Sequence, residues 1–474
     1  MERIAHAERF AEIIGAGNVL TSPEDKAPFL VEWRDLYQGV TPMVLRPGST
    51  EEVSRVMAYA HENGIKVVPQ GGNTGLVGGQ IPLENGEEIV LSLARMNIIR
   101  NVDPEGFTIT VDSGVVLETL QIEAEKADRL FPLSLGAQGS CQIGGNISTN
   151  AGGTAVLAYG NTRDLVLGLE VVLANGDVWN GLRTLRKDNT GYDLKQLFIG
   201  AEGTLGIITA ASLKLFPKPK KLEAAFIGLT SPHAALKLFS LAKAQAGPVL
   251  TGFEIMPRVG VEFCMSHLAG ARDPLENPHN WYVLMELSSG SEAFPIRDLM
   301  EAILGDAFEA GLVEDAAFAQ NLSQVKDFWH IRHGMSEVQK EEGGSIKHDV
   351  SVPVASIPDF LDRAIAAVTD FVPGCRPVPF GHLGDGNIHF NVSQPTGADK
   401  EDYLSRWDEM NTIVHGIVQE FGGSISAEHG IGRLKRDLLQ GVKSELELDL
   451  MRRIKSTIDP DNILNPGCVL SKTR

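Results

Sequence analysis

The chain has 474 residues, more than one hydrophobic core ordinarily serves, so two or three domains are expected. Apolar residues make up 43% and charged residues 22%, as in a folded globular protein, and a formal net charge of −19 excludes the basic footprint of a nucleic-acid binder. Cys141, Cys264, Cys375 and Cys468 are far apart and form no CxxC pair, which argues against a disulfide framework or thiolate metal site and fits a reducing cytoplasm.

The first ten residues mix charged and apolar side chains at helical spacing, unlike the apolar region of a signal peptide. No segment has the ~20 apolar residues of a membrane-spanning helix. From about Pro42 to Phe216, short β-rich runs beginning near Lys66, Glu88, Thr108 and Leu167 alternate with Gly-rich turns. Helical patterns sit at Thr50–Asn63 and Leu117–Ala127, so the region reads as an α+β domain.

Three glycine-rich stretches punctuate it. Pro69-Gln-Gly-Gly-Asn-Thr-Gly-Leu-Val-Gly-Gly79 follows a strand-like run, and its successive amides can curl into an anion-binding nest. It lacks the Gly-Lys-Ser/Thr ending of a P-loop and the GxGxxG of a Rossmann site. The second, Gly136–Gly153, is built of Gly, Ser, Thr and amide side chains and offers close backbone approach to something polar and flat. The third, Gly200–Thr209, is a turn entering a strand.

Phe216-Pro-Lys-Pro-Lys-Lys221 reads as a linker. A second α+β region follows to about Ser424, giving expected domains at 1–221, 222–424 and 425–474. Within it, Trp329–Glu337 reads as a helix placing Arg332 and Ser336 four apart on one face, and a strand-like run from Ser345 to Val352 carries Lys347. An Arg fork and a Lys point charge suit carboxylate recognition.

Phe380-Gly-His-Leu-Gly-Asp-Gly-Asn-Ile-His-Phe-Asn391 reads as a hairpin turning on Asp385-Gly386. A turn centred there sets His382 directly opposite His389, with Cβ atoms ~4.5–5.5 Å apart, and Asn391 on the same face. Asp385 is read as a turn residue. Two imidazoles need a third ligand to hold a divalent metal, and Ser426-Ala-Glu-His-Gly-Ile-Gly432 offers Glu428. Glu428 and adjacent His429 would point to opposite faces of a regular strand, so serving one site requires a bend, for which Gly430 and Gly432 are placed. The last fifty residues look helical before the turn-rich ending Asp459–Gly467.

From about Val40 to Leu470 these motifs resemble the vanillyl-alcohol-oxidase superfamily of flavoproteins, and the later ones its D-2-hydroxyglutarate and D-lactate dehydrogenase branch. The resemblance implies a two-subdomain FAD-binding domain of the PCMH type, an α+β substrate (cap) domain, and a C-terminal helical segment returning to the FAD domain. It implies that Pro69, Gly71, Gly72, Asn73, Thr74, Gly75 and Gly78 cradle the pyrophosphate of non-covalent FAD. Pro132, Gly136, Gly139, Ser140, Gly144, Asn146, Thr149 and Gly153 line the cofactor further on. Glu202, Gly203, Gly206, Ile208 and Asn465 complete that set.

The same resemblance makes His382, His389 and Glu428 ligands of Zn²⁺, with Mn²⁺ or Fe²⁺ as alternatives. It makes His429 the catalytic base, and Arg332, Ser336, Lys347 and Asn391 substrate-binding residues. Ser336 stands where the hydroxyglutarate branch typically has Thr, and the hydroxyl is kept. The implied activity is metal-assisted oxidation of a D-2-hydroxy acid, D-2-hydroxyglutarate first, with D-lactate, glycolate or D-malate as alternatives. Electron-transfer flavoprotein, a quinone or a cytochrome would accept the electrons, and a homodimer is compatible. A zinc hydrolase would leave the glycine stretches unexplained. An FAD-retaining, non-catalytic subunit of an oxidase complex is the reading from another class.

Overall fold

The computed structural model describes residues 2–471. The chain forms two compact units. Unit 1 comprises the residues up to Gly153, Gly160–Lys218 and everything from Glu428 onward; unit 2 comprises Thr154–Tyr159 and Pro219–Ala427. The chain enters the main body of unit 2 at Lys218–Pro219, inside the Pro- and Lys-rich run. Little of that run is free: Phe216 and Pro217 pair antiparallel with Leu130 and Arg129, and Lys221 already begins a long strand.

Unit 1 holds two sheets. The first runs β1 (Val19–Leu20), β2 (Val44–Leu45), β4 (Glu88–Ser92), β3 (Lys66–Gln70), with β2 and β3 parallel to the fully buried β4. Helix α1 (Thr50–Glu62) joins β2 to β3; Ser49 caps it by accepting from the Glu52 amide. Its buried Val53, Val56, Met57 and Ala60 recur at helical spacing and face this sheet's core. The second sheet runs β5 (Ile99–Asp103), β6 (Thr108–Asp112), β9 (Ile207–Lys214), β7 (Val166–Val172), β8 (Val178–Gly181), all antiparallel. Helix α2 (Leu117–Lys126) follows β6.

Unit 2 is one seven-stranded antiparallel sheet. Its strands are β10 (Lys221–Leu229), β11 (Leu250–Pro257), β12 (Trp281–Ser289), β13 (Asp315–Phe318), β14 (Ser345–Ser351), β15 (Arg376–His382) and β16 (Asn387–Ser393). Their order is β13-β10-β12-β11-β15-β16-β14. One face is apolar: Ile388, Phe390 and Val392 of β16 pack with helices α3 (Pro232–Ala246), α5 (Ile296–Glu309), α7 (Ile357–Phe371) and α8 (Trp407–Glu420). The other face carries a smaller apolar cluster under α4 (Arg258–His267) and α6 (Leu322–Val338). Beyond that cluster its residues turn polar, and there the candidate site lies.

The C-terminal segment belongs to unit 1. Helix α9 (Glu445–Ile458) starts with a capping box between Ser444 and Glu447. Beyond it the chain joins the edge of the first sheet: Val67 N–H donates to the Ile463 carbonyl (2.9 Å) and Asn465 N–H to the Val67 carbonyl (2.8 Å). Buried Asp459 organises this return, accepting from the amides of Ile463 (2.9 Å) and Leu464 (2.8 Å) and from Lys455 Nζ (2.5 Å). Asp459→Ala strands two amides and takes the carboxylate from a half-buried ammonium that keeps the Thr204 and Leu464 carbonyls. We expect it to lower stability in equilibrium denaturation by about 1–3 kcal/mol for each orphaned amide.

Candidate active site

Unit 1 assembles a cradle from the three glycine-rich stretches. Buried Gln70 donates to the carbonyls of Phe29 (3.0 Å) and Gln80 (2.9 Å), fixing the exit of the first loop from β3. Asn73 lies at φ 55° and Gly78 at φ 71°. A Cβ on Gly72 would stand 2.1 Å from the Ser140 carbonyl oxygen, so only glycine lets the first stretch touch the second. Gly71, Gly72, Asn73, Thr74 and Gly75 stay half-buried, their backbone open to a ligand.

Pro132, just before the second stretch, is buried, as are Gly144, Asn146 and Gly153 within it; Thr149 is half-buried, and Gly136, Gly139 and Ser140 are exposed. Gly144 N–H donates to the Ser113 carbonyl at 2.7 Å. Ser113 Oγ, Gln142 Oε1 and Asn146 Oδ1 are buried with no hydrogen-bond partner in the protein. Buried polar atoms are seldom left so. Glycine walls with orphaned polar atoms behind them fit a flat, polar group such as FAD.

The third stretch is structural as much as ligand-facing. A Cβ on Gly203 would lie 2.5 Å from Pro69 Cγ, and one on Gly206 2.5 Å from Val171 Cγ1, while Ile208 is buried in β9 opposite Val171. Asn465 Nδ2 donates to the carbonyls of Gly79 and Glu202, both at 2.9 Å, tying the first and third stretches together. The Glu202 carboxylate is engaged with the backbone amides of Ile431 and Gly432, both at 2.8 Å.

In unit 2 the hairpin differs in register from the sequence expectation. His382 pairs with Asn387, and His389 with Phe380. The turn is four residues long because Leu383 drops into the apolar core and is fully buried. Asp385 and Gly386 N–H both donate to the His382 carbonyl (3.2 Å), and Asn387 N–H to Asp385 Oδ1 (3.0 Å). Asp385 is thus the turn residue, and burial pushes its carboxyl up to about 6. The slip is two residues, one full strand period, so both histidines keep the same face as diagonal neighbours with ring centroids 5.6 Å apart.

The chain then returns to the sheet edge. Ser424 and Ser351 exchange backbone hydrogen bonds (2.8 and 3.0 Å), and Ala427 N–H donates to the Asp349 carbonyl (3.3 Å). Glu428 follows directly, in irregular backbone that bends at Gly430 (φ 83°) and Gly432 (φ 53°). One ligand atom from each of His382, His389 and Glu428 lies within 4.8 Å of the others. Two imidazoles and a carboxylate fit a divalent cation and leave a coordination position open.

Glu254 of β11, fully buried, was not singled out from the sequence. Its Oε1 lies 2.7 Å from His382 Nδ1 and its Oε2 accepts from Arg332 Nε at 2.7 Å. Burial opposes its ionisation, but the charges of His382 and Arg332 outweigh this and hold the carboxyl down at about 2. An ionised carboxylate only accepts, so His382 Nδ1 carries a hydrogen toward Glu254; a cation bound at Nε2 would take the place of the proton there, the arrangement of a carboxylate-oriented metal ligand. Asp349, opposite His389 on β14, accepts from Asn387 Nδ2 at 3.0 Å. A lone acid inside the apolar run Leu250–Pro257 was the available signal for Glu254.

Arg332 is buried in α6, its guanidinium 4.8 Å from the Phe380 ring centroid, with Nη2 lacking any partner. Ser336, four residues on, is exposed, and its carbonyl accepts from Lys347 Nζ at 2.8 Å. Lys347 lies opposite Asn391, which is buried. The structure thus places Arg332 beside the His382 support, and Lys347 beside Asn391.

The chain matches the family model "FAD linked oxidases, C-terminal domain" over residues 218–469 and "FAD binding domain" over 41–181. Among solved structures, p-cresol methylhydroxylase superposes with a TM-score of 0.75 at 16% identity, covering 98% of this chain and 96% of that one. The cradle, the fold and these matches define an FAD-linked oxidoreductase of the two-subdomain FAD-binding type with an α+β cap. An Arabidopsis thaliana protein named mitochondrial D-2-hydroxyglutarate dehydrogenase is 39% identical, covering 97% of this chain and 80% of its own length. A Schizosaccharomyces pombe protein provisionally named a mitochondrial D-lactate dehydrogenase is 38% identical, covering 96% and 88%. The chain belongs to the FAD-dependent D-2-hydroxyacid dehydrogenases.

The relatives correct one expectation. Both are named as mitochondrial, which points to the mitochondrion and not the cytoplasm. All four cysteines are free and buried, and burial protects a thiol in any compartment, so cysteine spacing was a poor locator. Among the described residues no helix is long and apolar enough to cross a membrane.

The cradle yields a direct expectation. Gly72→Val drives a branched side chain into the Ser140 carbonyl, and the purified variant should lose its flavin absorbance on desalting while remaining folded by circular dichroism.

Proposed function

We propose that this chain oxidises D-2-hydroxyglutarate to the 2-oxo acid, with FAD held non-covalently by unit 1 and a divalent cation, Zn²⁺ first and Mn²⁺ or Fe²⁺ as alternatives, held by His382, His389 and Glu428. The observation that carries the reading is the buried Glu254 carboxylate, which orients a metal-type histidine and a carboxylate-binding arginine together.

In this reading Arg332 Nη2, buried and partnerless, supplies donors to a substrate carboxylate, and Lys347 adds a point charge. Asn391, buried on the same face as His389, and the Ser336 hydroxyl complete the polar contacts. His429 takes the C2 hydroxyl proton. His382, His389 and Glu428 would hold the cation, which would supply a Lewis acid favouring loss of that proton; Zn²⁺ lowers the pKa of water from ~15.7 to ~7. FAD, when bound, supplies the two-electron acceptor for the C2 hydride.

The second reading, D-lactate, is favoured by the name of the Schizosaccharomyces pombe relative. Anaerobic mixing with D-2-hydroxyglutarate and with D-lactate, followed by flavin bleaching, separates the two. We expect Arg332→Ala and Lys347→Ala to slow bleaching by the dicarboxylic acid far more than by lactate; equal losses would refute a distal-carboxylate role.

Exhaustive chelation should abolish flavin reduction, and added Zn²⁺ should restore it; activity that survives metal removal defeats the metal's catalytic role. His429→Asn should slow reduction ~10²–10⁴-fold, the usual contribution of a general base. A wild-type rate in that variant defeats the base assignment.

A further inference from the structure

The turn that follows Glu428 and His429 is held unusually tightly within unit 1. Glu202 Oε1 accepts from Ile431 N–H and Oε2 from Gly432 N–H, so one carboxylate grips two consecutive amides. The fit admits nothing larger: a Cβ on Gly430 would lie 2.8 Å from Glu202 Oε1. The next two amides, of Arg433 and Leu434, both donate to the Val77 carbonyl (2.8 and 3.1 Å). Glu202 is itself fixed, its N–H on the Ser148 carbonyl (2.8 Å) and its own carbonyl on Asn465 Nδ2 (2.9 Å). Cofactor-cradle backbone therefore roots the clamp, and the clamp sets where the turn begins.

We propose that Glu202 is the positioning residue of the Glu428–His429 segment. By holding the Ile431 and Gly432 amides it fixes the carboxylate offered to the metal set and the imidazole offered as base. This rests on the roles given to those two residues above. Nothing in the clamp needs Glu202 to touch cofactor or substrate. A misplacement near 1 Å at a reacting group costs ~10²-fold, so a residue acting only through backbone can matter to rate.

The test uses the full-length holoprotein carrying Glu202→Gln, and separately Gly430→Ala. The first replaces one acceptor oxygen with a donor facing an amide. The second forces a Cβ against the Glu202 carboxylate at φ 83° while residue 202 remains a glutamate. Zn²⁺ affinity of the metal-stripped proteins is read by competition with a chromophoric chelator. The pH profile of flavin reduction is read by stopped flow on FAD-loaded samples. Both variants should bind Zn²⁺ ~10–100-fold more weakly, the usual loss when a metal ligand's support is removed. Both should show a displaced pH profile for the proton-accepting step, with flavin content unchanged in Gly430→Ala. Wild-type Zn²⁺ affinity and pH profile in the FAD-loaded variants would overturn the proposal. So would losses in Glu202→Gln that Gly430→Ala does not reproduce, since these place Glu202 at the cofactor. If the wild type itself binds no Zn²⁺, the metal reading fails instead, and the pH profile alone decides the clamp.

Discussion

The polar site in unit 2 depends on one buried carboxylate. Glu254 sits in the middle of a strand whose residues are all buried. An unpaired charge there would be too costly to keep, and the carboxyl would simply protonate. It stays ionised because His382 and Arg332 close on its two oxygens from different elements, a strand and a helix. The same pairing keeps a hydrogen on His382 Nδ1 and leaves Nε2 as the atom turned to the site. It also spends Arg332 Nε while leaving Nη2 for something else. In the function proposed above, cation binding and carboxylate binding would therefore share a single support.

Much of this was legible in the residues. The glycine stretches, the α1 and α2 helices, the hairpin and the Glu428–His429 bend are local patterns, and local chemistry dictates them. The hairpin shows the limit. Turn chemistry at Asp385-Gly386 suggested a two-residue loop, and the pull of Leu383 into the apolar core lengthened it to four. The face survived because side chains alternate with period two and the slip was two residues. A slip of one would have turned His382 into the core.

What stayed hidden was long-range. No local pattern reports that Thr154–Tyr159 leaves unit 1 for unit 2, or that Asn465 binds the Gly79 carbonyl, nearly four hundred residues away. The family resemblance placed Glu202 along the cofactor; the amides of Ile431 and Gly432 that hold its carboxylate are visible only in the fold. Glu254 was visible as a lone acid in an apolar run, but its partners lie on Arg332 and His382, remote in sequence.

Glu202 and Glu254 make an instructive pair, because each is a buried carboxylate accepting on both oxygens, yet their ionisation moves in opposite directions. Burial raises Glu202 and its backbone donors only partly offset this. Burial raises Glu254 too, but charged partners outweigh it. Amides contribute partial charges and cannot follow the carboxylate's loss, so removing Glu202 orphans two neutral donors at about 1–3 kcal/mol each. Removing Glu254 strands a guanidinium in the interior, the costlier error at about 3–5 kcal/mol. Glu202 is therefore a geometric device, adjustable at modest cost, whereas Glu254 is an electrostatic one on which the folded site stands.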